Sequence, residues 1–326
     1  MQKINIGIVG GAGYTGGELL RVLLRHPNAH IAFVHSTSSA GELVSKVHAD
    51  LVGDTHLKFA SELGQNIDVL FLCVGHGDAK KFLEANEIKA SIKIIDLSQD
   101  FRLTNTATIA DRNFVYGLPE LQREAIQSAT NIANPGCFAT AIQLGLLPLA
   151  SKGLLNDVYT TGITGSTGAG QGLSNTSHFS WRANNIQAYK TLQHQHLNEI
   201  GQSLAQLQGN QNAQVHFVPW RGDFTRGIFV TSVVSTNLSL EQVYDVYNAY
   251  YANHAFTHVS KNNIDLKQVV NTNKCLIHIE KQGDKIAIHS VIDNLLKGAV
   301  GQAVQNMNLI FGIEEGVGLQ LKANYF

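Results

Sequence analysis

The sequence predicts an α/β protein: an N-terminal Rossmann-type, doubly wound parallel sheet followed by a C-terminal α+β domain with a largely antiparallel sheet. Three observations carry this expectation. Short apolar strands alternate with amphipathic helices over the first 135 residues, a glycine-rich loop joins the first strand to the first helix, and longer strands crowd together after about residue 155. Length agrees, because 326 residues exceed the roughly 250 at which a single hydrophobic core tends to split.

Taken in order, INIGIV (4–9), HIAFVHS (30–36), IDVLFLCV (67–74) and IKIIDL (92–97) are apolar runs rich in β-branched residues and read as buried strands. Between the first two, TGGELLRVLLRH (15–26) spaces Leu and Val as one face of a helix does. DVYTTGIT, QVHFVPW, GIFVTSVVST, KCLIHIEK and KIAIHSVI then form the second series of strands, the last two joined by a hairpin signal at Gly283-Asp284. LEQVYDVYNAYYANH (240–254) has helical spacing, and a last helix is expected from about Asn294 to Phe311, returning to the first domain. No internal repeat, low-complexity tract or charge block interrupts the pattern.

Composition narrows the function. With 24 Lys and Arg against 25 Asp and Glu there is no basic field of the kind nucleic acids and anionic membranes require, so neither partner is expected. No apolar run approaches the roughly 20 residues of a membrane span, and MQKINIGIVGG lacks the layout of a signal peptide, so a cytoplasmic location is expected. Three distant cysteines (Cys73, Cys137, Cys275) form neither a disulfide framework nor a metal-spaced set, and no metal is expected. With 14 histidines, a chance pairing of His with another reactive group is easy to find, so each must be weighed by its position.

The segment Gly10-Gly11-Ala12-Gly13-Tyr14-Thr15-Gly16 lies between the first strand and the first helix. A pyrophosphate needs backbone N–H groups brought close at a helix N-terminus, and glycines allow both the turn and the approach. Gly11, Gly13 and Gly16 match G-x-G-x-x-G, in the strand-to-helix context that gives the motif its meaning. The competing reading is a tight structural turn. The second strand ends in His35-Ser36-Thr37-Ser38-Ser39, without the acidic residue that binds the ribose 2′-hydroxyl of NAD. Hydroxyls at Ser36 and Ser38 suit a 2′-phosphate, so NADP(H) is the expected cofactor; an ordinary Ser-rich turn is the alternative.

Cys73 and Cys275 lie inside strand patterns and read as small core hydrophobes. Cys137 stands in NPGCFATA (134–141), where Pro-Gly ends a strand and an apolar helix follows. It therefore falls at a helix start, where unpaired N–H groups and the macrodipole favour a thiolate able to attack a carbonyl. The bland alternative is a Cys filling space at a turn.

GIVGGAGYTGGELLRVLLRHP, DLSQDFRL (96–103), YGLPEL (116–121), NPGCFATA, TGSTGAG (164–170), HQHLNEI (194–200) and IDNLLKGAVGQAVQNMNL occur here in the order found in the N-acetyl-γ-glutamyl-phosphate reductases of arginine biosynthesis, and the chain resembles that family over nearly its whole length. The resemblance implies the two-domain fold shared with aspartate-semialdehyde and glyceraldehyde-3-phosphate dehydrogenases. It implies an NADP-binding domain of residues 1–136 and 296–326, a catalytic, substrate and oligomerisation domain of residues 137–295, a small acyl-phosphate substrate, a Cys137 thioester, and a homo-oligomer, dimer or tetramer.

His196 and Glu199 are spaced i, i+3, so that on a helix the carboxylate would orient or stabilise the ring. By resemblance this segment carries the general acid/base, expected at His196 first and His194 second, although Gln195 and Asn198 stand where the family has Arg and Pro. Arg102 and Arg226 match family positions for the substrate's anionic groups, and Arg221 is a further candidate. For Arg102 the alternative is an ion pair with Asp96 or Asp100. Ser166 and Gly168, in a glycine loop after a strand, offer N–H groups to phosphate or nicotinamide, or are simply a mobile loop. Gly298 and Gly301 permit close approach to the last helix, and Asn306 is placed to bond the nicotinamide amide. Rival readings are an N-succinyl-glutamyl-phosphate reductase, an aspartate-semialdehyde dehydrogenase and a dinucleotide-sensing regulator.

Overall fold

The computed structural model describes residues 3–209 and 213–325. They fall into two compact units, one of residues up to Pro135 together with Ala299–Gln320, the other of Gly136–Gly298 with residues from Leu321 onward.

The first unit is built on strands β1 (Ile4–Val9), β2 (Ala29–His35), β3 (Phe59–Ala60), β4 (Val69–Leu72), β5 (Lys93–Asp96), β6 (Thr108–Ile109), β7 (Arg112–Tyr116) and β8 (Asn131–Ala133). Their order is β3-β2-β1-β4-β5-β8-β7-β6, with every pairing parallel except β6 with β7. A parallel sheet needs crossovers that cover its faces, so its central strands are apolar throughout; all four residues of β4 are buried. Helices α1 (Tyr14–Leu23), α2 (Val44–Val47), α3 (Asp78–Ala85) and α4 (Pro119–Gln127) lie along these crossovers. Reversal of strand order on either side of β1 makes the doubly wound arrangement, whose ligand crevice lies beyond the carboxyl end of that strand. The late helix α9 (Gly301–Ile310) packs on α1 and α4.

The second unit has strands β9 (Asp157–Thr164), β10 (Gln187–Ala188), β11 (Gln214–Arg221), β12 (Ile228–Ser235), β13 (Thr257–Ser260), β14 (Cys275–Gln282) and β15 (Lys285–Ile292), in the order β10-β11-β9-β12-β15-β14-β13. Four of its six pairings are antiparallel, and β14 turns into β15 through Gly283 at φ +58°. Alternate residues of β12 are buried, so the sheet has one core face. Helix α5 (Cys137–Ala150) packs on that sheet and against α7 (His196–Leu207) and α8 (Leu240–Tyr251), with the short α6 (Phe179–Arg182) lying elsewhere in the unit. Nearly every residue of α5 after Cys137 is buried, as expected of a helix that is apolar all round.

One element differs from expectation. The continuous helix from about Asn294 to Phe311 is instead a π-helical turn, Leu296–Val300, leading into α9. Asp293 causes it: its side chain accepts the N–H groups of Leu295 and Leu296, and its carbonyl accepts the N–H of Gly298 five residues on. A Cβ at Gly298 would lie 2.8 Å from Cys137 Cβ, so the glycine admits the backbone of Cys137 itself.

Candidate active site

In the first unit the glycine loop is shaped by necessity at two positions. Gly10 has φ +79°, and a Cβ there would meet the Cys73 carbonyl at 2.4 Å; a Cβ on Gly16 would meet the Gly11 backbone at 2.6 Å. Gly13 is different. Its φ is −80°, and the nearest atom to an added Cβ is 3.8 Å away, so nothing in the protein requires a glycine there. Gly13 is also the N-cap of α1, and no side chain caps that helix. An uncapped helix start beside open space is a fit for a pyrophosphate, whose close approach supplies the missing reason for Gly13. A groove of about 490 Å³ runs along this loop, lined also by Ser36, Thr37, Ser38 and Lys81. The Ser36 and Ser38 hydroxyls lie 3.3 Å apart. Lys81, on α3, was not among the sequence candidates. It is bonded to Asp78 at 3.2 Å and brings to the groove the cation that the second strand lacks, although it lies 43 positions along the chain from Ser38.

In the second unit Cys137 is the first residue of α5, after Gly136 at the N-cap, and again no side chain caps the helix. It is half-buried, whereas Cys73 and Cys275 are buried and burial pushes the Cys73 thiol up to about 12, which leaves it inert. Glu199 Oε2 accepts the Gly136 N–H at 3.1 Å. His196 is the first residue of α7, and its Nε2 lies 3.8 Å from Glu199 Oε1, both side chains being more than nine-tenths buried. Glu199 thus bridges the acid/base candidate and the loop carrying the candidate nucleophile, a second task that i, i+3 spacing alone does not reveal.

His194 has another role. Burial, and next the charge of Lys190, push it down to about 4, so it is neutral at physiological pH. Its Nδ1 accepts the His196 N–H at 3.3 Å, and its ring packs edge-on against Phe138, Phe217 and His196. It serves as a helix-start acceptor and a packing surface.

The residues expected to meet anions have partners within the protein. Arg226 makes a two-point bond to Asp293, Nε to Oδ2 and Nη2 to Oδ1, both at 3.0 Å, so that fork fixes the turn before Leu296. Arg102 is buried; its Nε donates to the Asn134 carbonyl at 2.8 Å and its Nη2 to the Leu97 carbonyl at 3.0 Å, and its charge helps to hold the Asp96 carboxylate. Asp100 instead accepts the N–H groups of Gly77 and Lys80 at the start of α3, while Asp96 is bonded to Ser98, with burial raising it to about 6. The loop at Ser166 and Gly168 is a 3-10 turn whose donors are already used. Gly165, Ser166 and Thr167 give their N–H groups to Gly227, Phe224 and Thr225, and Gly168 gives its own to Gly165, so these donors are engaged within the protein. Asp293, Asn134 and the Phe224–Gly227 segment are remote in sequence from the groups they bond, and that is why spacing does not show them. Asn306 is fully buried, its Nδ2 donating to the Gly117 carbonyl and to Asn134 Oδ1, while its Oδ1 has no partner and remains an acceptor for an amide.

Among the described residues no group of three or more His, Cys, Asp or Glu is placed to hold a metal, and no helix is long and apolar enough to cross a membrane. Residues 5–129 match the family model of the semialdehyde dehydrogenase NAD binding domain, and residues 137–294 that of the semialdehyde dehydrogenase dimerisation domain. Similar curated proteins are the N-acetyl-gamma-glutamyl-phosphate reductases of Bacteroides fragilis and Bacteroides thetaiotaomicron, each 57% identical over 99% of this chain and 100% of their own. That of Flavobacterium johnsoniae is 54% identical over the same shares. Among solved structures, aspartate semialdehyde dehydrogenase II of Vibrio cholerae covers 95% of this chain and 99% of its own with TM-score 0.74 at 17% identity, a likeness of fold.

Proposed function

The chain belongs to the N-acetyl-γ-glutamyl-phosphate reductases of the semialdehyde dehydrogenase family, and from that premise we propose that it reduces N-acetyl-γ-glutamyl phosphate to N-acetylglutamate 5-semialdehyde and phosphate with NADPH, in arginine biosynthesis. The observation that carries the reading is Cys137 at an uncapped helix start, its loop held by the same carboxylate that faces a buried histidine.

The Cys137 thiolate attacks the γ-carbonyl carbon, the carbon–oxygen bond to phosphate breaks, and a thioester forms, which divides one hard reduction into two easier steps. Backbone N–H groups in the first turn of α5 are the oxyanion donors in this reading. When bound along the Gly10–Gly16 loop, NADPH supplies the hydride that converts the thioester to the hemithioacetal level. His196 gives a proton to the tetrahedral oxygen and withdraws it as the hemithioacetal collapses to aldehyde and thiolate, with Glu199 stabilising the imidazolium. His194 is unsuited to that task because it does not hold a proton near neutral pH. Asn306 Oδ1 is the acceptor for the nicotinamide amide, and Ser36, Ser38 and Lys81 serve the 2′-phosphate. Arg102 and Arg226 support loops and leave direct substrate contact to other cations. The enzyme acts in the cytoplasm as a homo-oligomer, in keeping with its dimerisation-domain match.

The test is the phosphate-requiring oxidation of aldehyde with NADP⁺, run on N-acetylglutamate, N-succinylglutamate and aspartate semialdehydes. The highest kcat/KM is expected for the acetylated substrate. Preference for the succinylated one would change the acyl group, preference for aspartate semialdehyde would overturn the assignment, and cofactor binding without turnover would mark a sensor. A preference for NADH over NADPH in the forward direction would overturn the cofactor choice.

A further inference from the structure

The glutamyl substrate carries an α-carboxylate at the far end of the chain from the reacting carbonyl, and the arginines expected to meet anions are committed elsewhere. Two that no family position suggested are not. Arg221, the last residue of β11, lies opposite Gln187 of β10, and its guanidinium sits over the Tyr189 ring at 5.1 Å. Its hydrogen-bond partner among the described residues is the Thr176 hydroxyl at 3.5 Å, the limit of such a contact. Arg182, the last residue of α6, donates Nη2 to the Gly222 carbonyl, and its Nε is buried with no partner. Neither forms a salt bridge among the described residues. The charge of Arg221 acts against that of Arg182, which burial already disfavours, and Asp223 offsets it in part.

A run of ring contacts leads from these cations to the chemistry. His196 packs on His194 at 4.6 Å, His194 on Tyr189 at 5.8 Å, and Tyr189 lies under Arg221. Burial first, and then the field of the Cys137 thiolate, push the Tyr189 hydroxyl up while Arg221 pulls it down, so Tyr189 senses both the nucleophile and the cation. Two like charges held together with an unpaired guanidinium N–H are costly without an anion.

We propose that Arg221, seated on Tyr189 and assisted by Arg182, binds the substrate's α-carboxylate; this rests on the acyl-phosphate reading above. Local charge favours a carboxylate over the departing phosphate, because two guanidiniums against Asp223 leave one net positive charge, a match for a monoanion. Position favours it too. The phosphate is bonded to the carbon that Cys137 attacks, whereas Arg221 is joined to His196 only through Tyr189 and His194, a separation suited to the other end of the substrate. A fork fixed there measures chain length, since an aspartyl substrate is one methylene shorter.

The experiment compares phosphate-dependent oxidation of N-acetylglutamate 5-semialdehyde with that of 4-acetamidobutanal, the same aldehyde without its carboxylate. Arg221→Ala should lower kcat/KM for the first by roughly 100-fold, chiefly through KM, as expected for loss of a charged hydrogen-bonded partner. It should leave the slower turnover of the second within about three-fold, because uniform binding alone is lost. Arg182→Ala should show the same selectivity with a smaller loss, and Arg221→Lys should recover part of the KM; these two keep the question open to refutation if Arg221→Ala does not fold. Equal losses on both aldehydes, no loss on either, or a rise in KM for phosphate alone would overturn the proposal. A wild-type enzyme that oxidised neither aldehyde would overturn the functional reading and the proposal with it.

Discussion

The two helix starts, Gly13 before α1 and Gly136 before α5, use one physical device for different ends. Both have a glycine at the N-cap, which has no side chain to cap the helix, and both stand at the positive end of a helix dipole. At α1 the space in front is open, and glycine stands where no protein atom demands it. At α5 the space is filled from inside: the first residue is a thiol, the N-cap N–H is taken by Glu199, and Gly298 is pressed against the Cys137 backbone. The first start is made to receive a ligand's charge, the second to create and hold charge on the protein's own atom. What separates a binding site from a reactive one is how far the surroundings immobilise what stands at the helix end.

The sharpest way to break that contrast is Cys137→Ser. Reduction should fall on the order of 10⁴-fold or more, as for a lost nucleophile, while the Kd for NADPH measured by fluorescence stays within about two-fold. Substantial residual turnover would refute the covalent route. Next in size is His196→Asn, expected to lower kcat by roughly 100-fold or more. His194→Asn should weaken packing while leaving the neutral-pH limb of the rate profile in place, because a group at about 4 does not titrate there. If only His194→Asn abolishes that limb, the two assignments must be exchanged. The smallest effect belongs to the other helix start. Gly13→Val should raise the KM for NADPH roughly ten-fold, about 1.4 kcal/mol, with little change in melting temperature, since an added Cβ meets nothing nearer than 3.8 Å. A large loss of stability would show instead that the glycine serves the fold.

Both helix starts were legible in the sequence because each is local chemistry: a strand, a glycine or Pro-Gly break, then a helical apolar pattern. The same holds for the strand-rich second half and for the His196–Glu199 pair. What stayed hidden were contacts between residues remote in the chain. Arg226 has the expected identity and the expected neighbourhood, yet Asp293, 67 positions on, claims its fork. Arg102 spends its donors on carbonyls, and carbonyls are invisible to any residue pattern. The Ser166 loop looked like a phosphate cradle until the Phe224–Gly227 segment, far along the chain, was found to occupy its N–H groups. The π-helical turn follows from one carboxylate, Asp293, competing with regular helical bonding, which periodicity cannot register.

The approach to the nucleophile has one more property. Asn134 offers its carbonyl to Arg102 and takes the Asp96 carbonyl with its N–H, Pro135 has no N–H to satisfy, and Gly136 gives its N–H to Glu199. Both backbone groups of Asn134 and both of Gly136, whose carbonyl accepts the Thr140 N–H, are thereby bonded. Ordering a residue costs roughly 1–2 kcal/mol of conformational entropy, and here that cost is met once, when the chain folds, and not again at each turnover. In the proposed reaction the Cys137 thiol is thus placed by its backbone before any small molecule arrives.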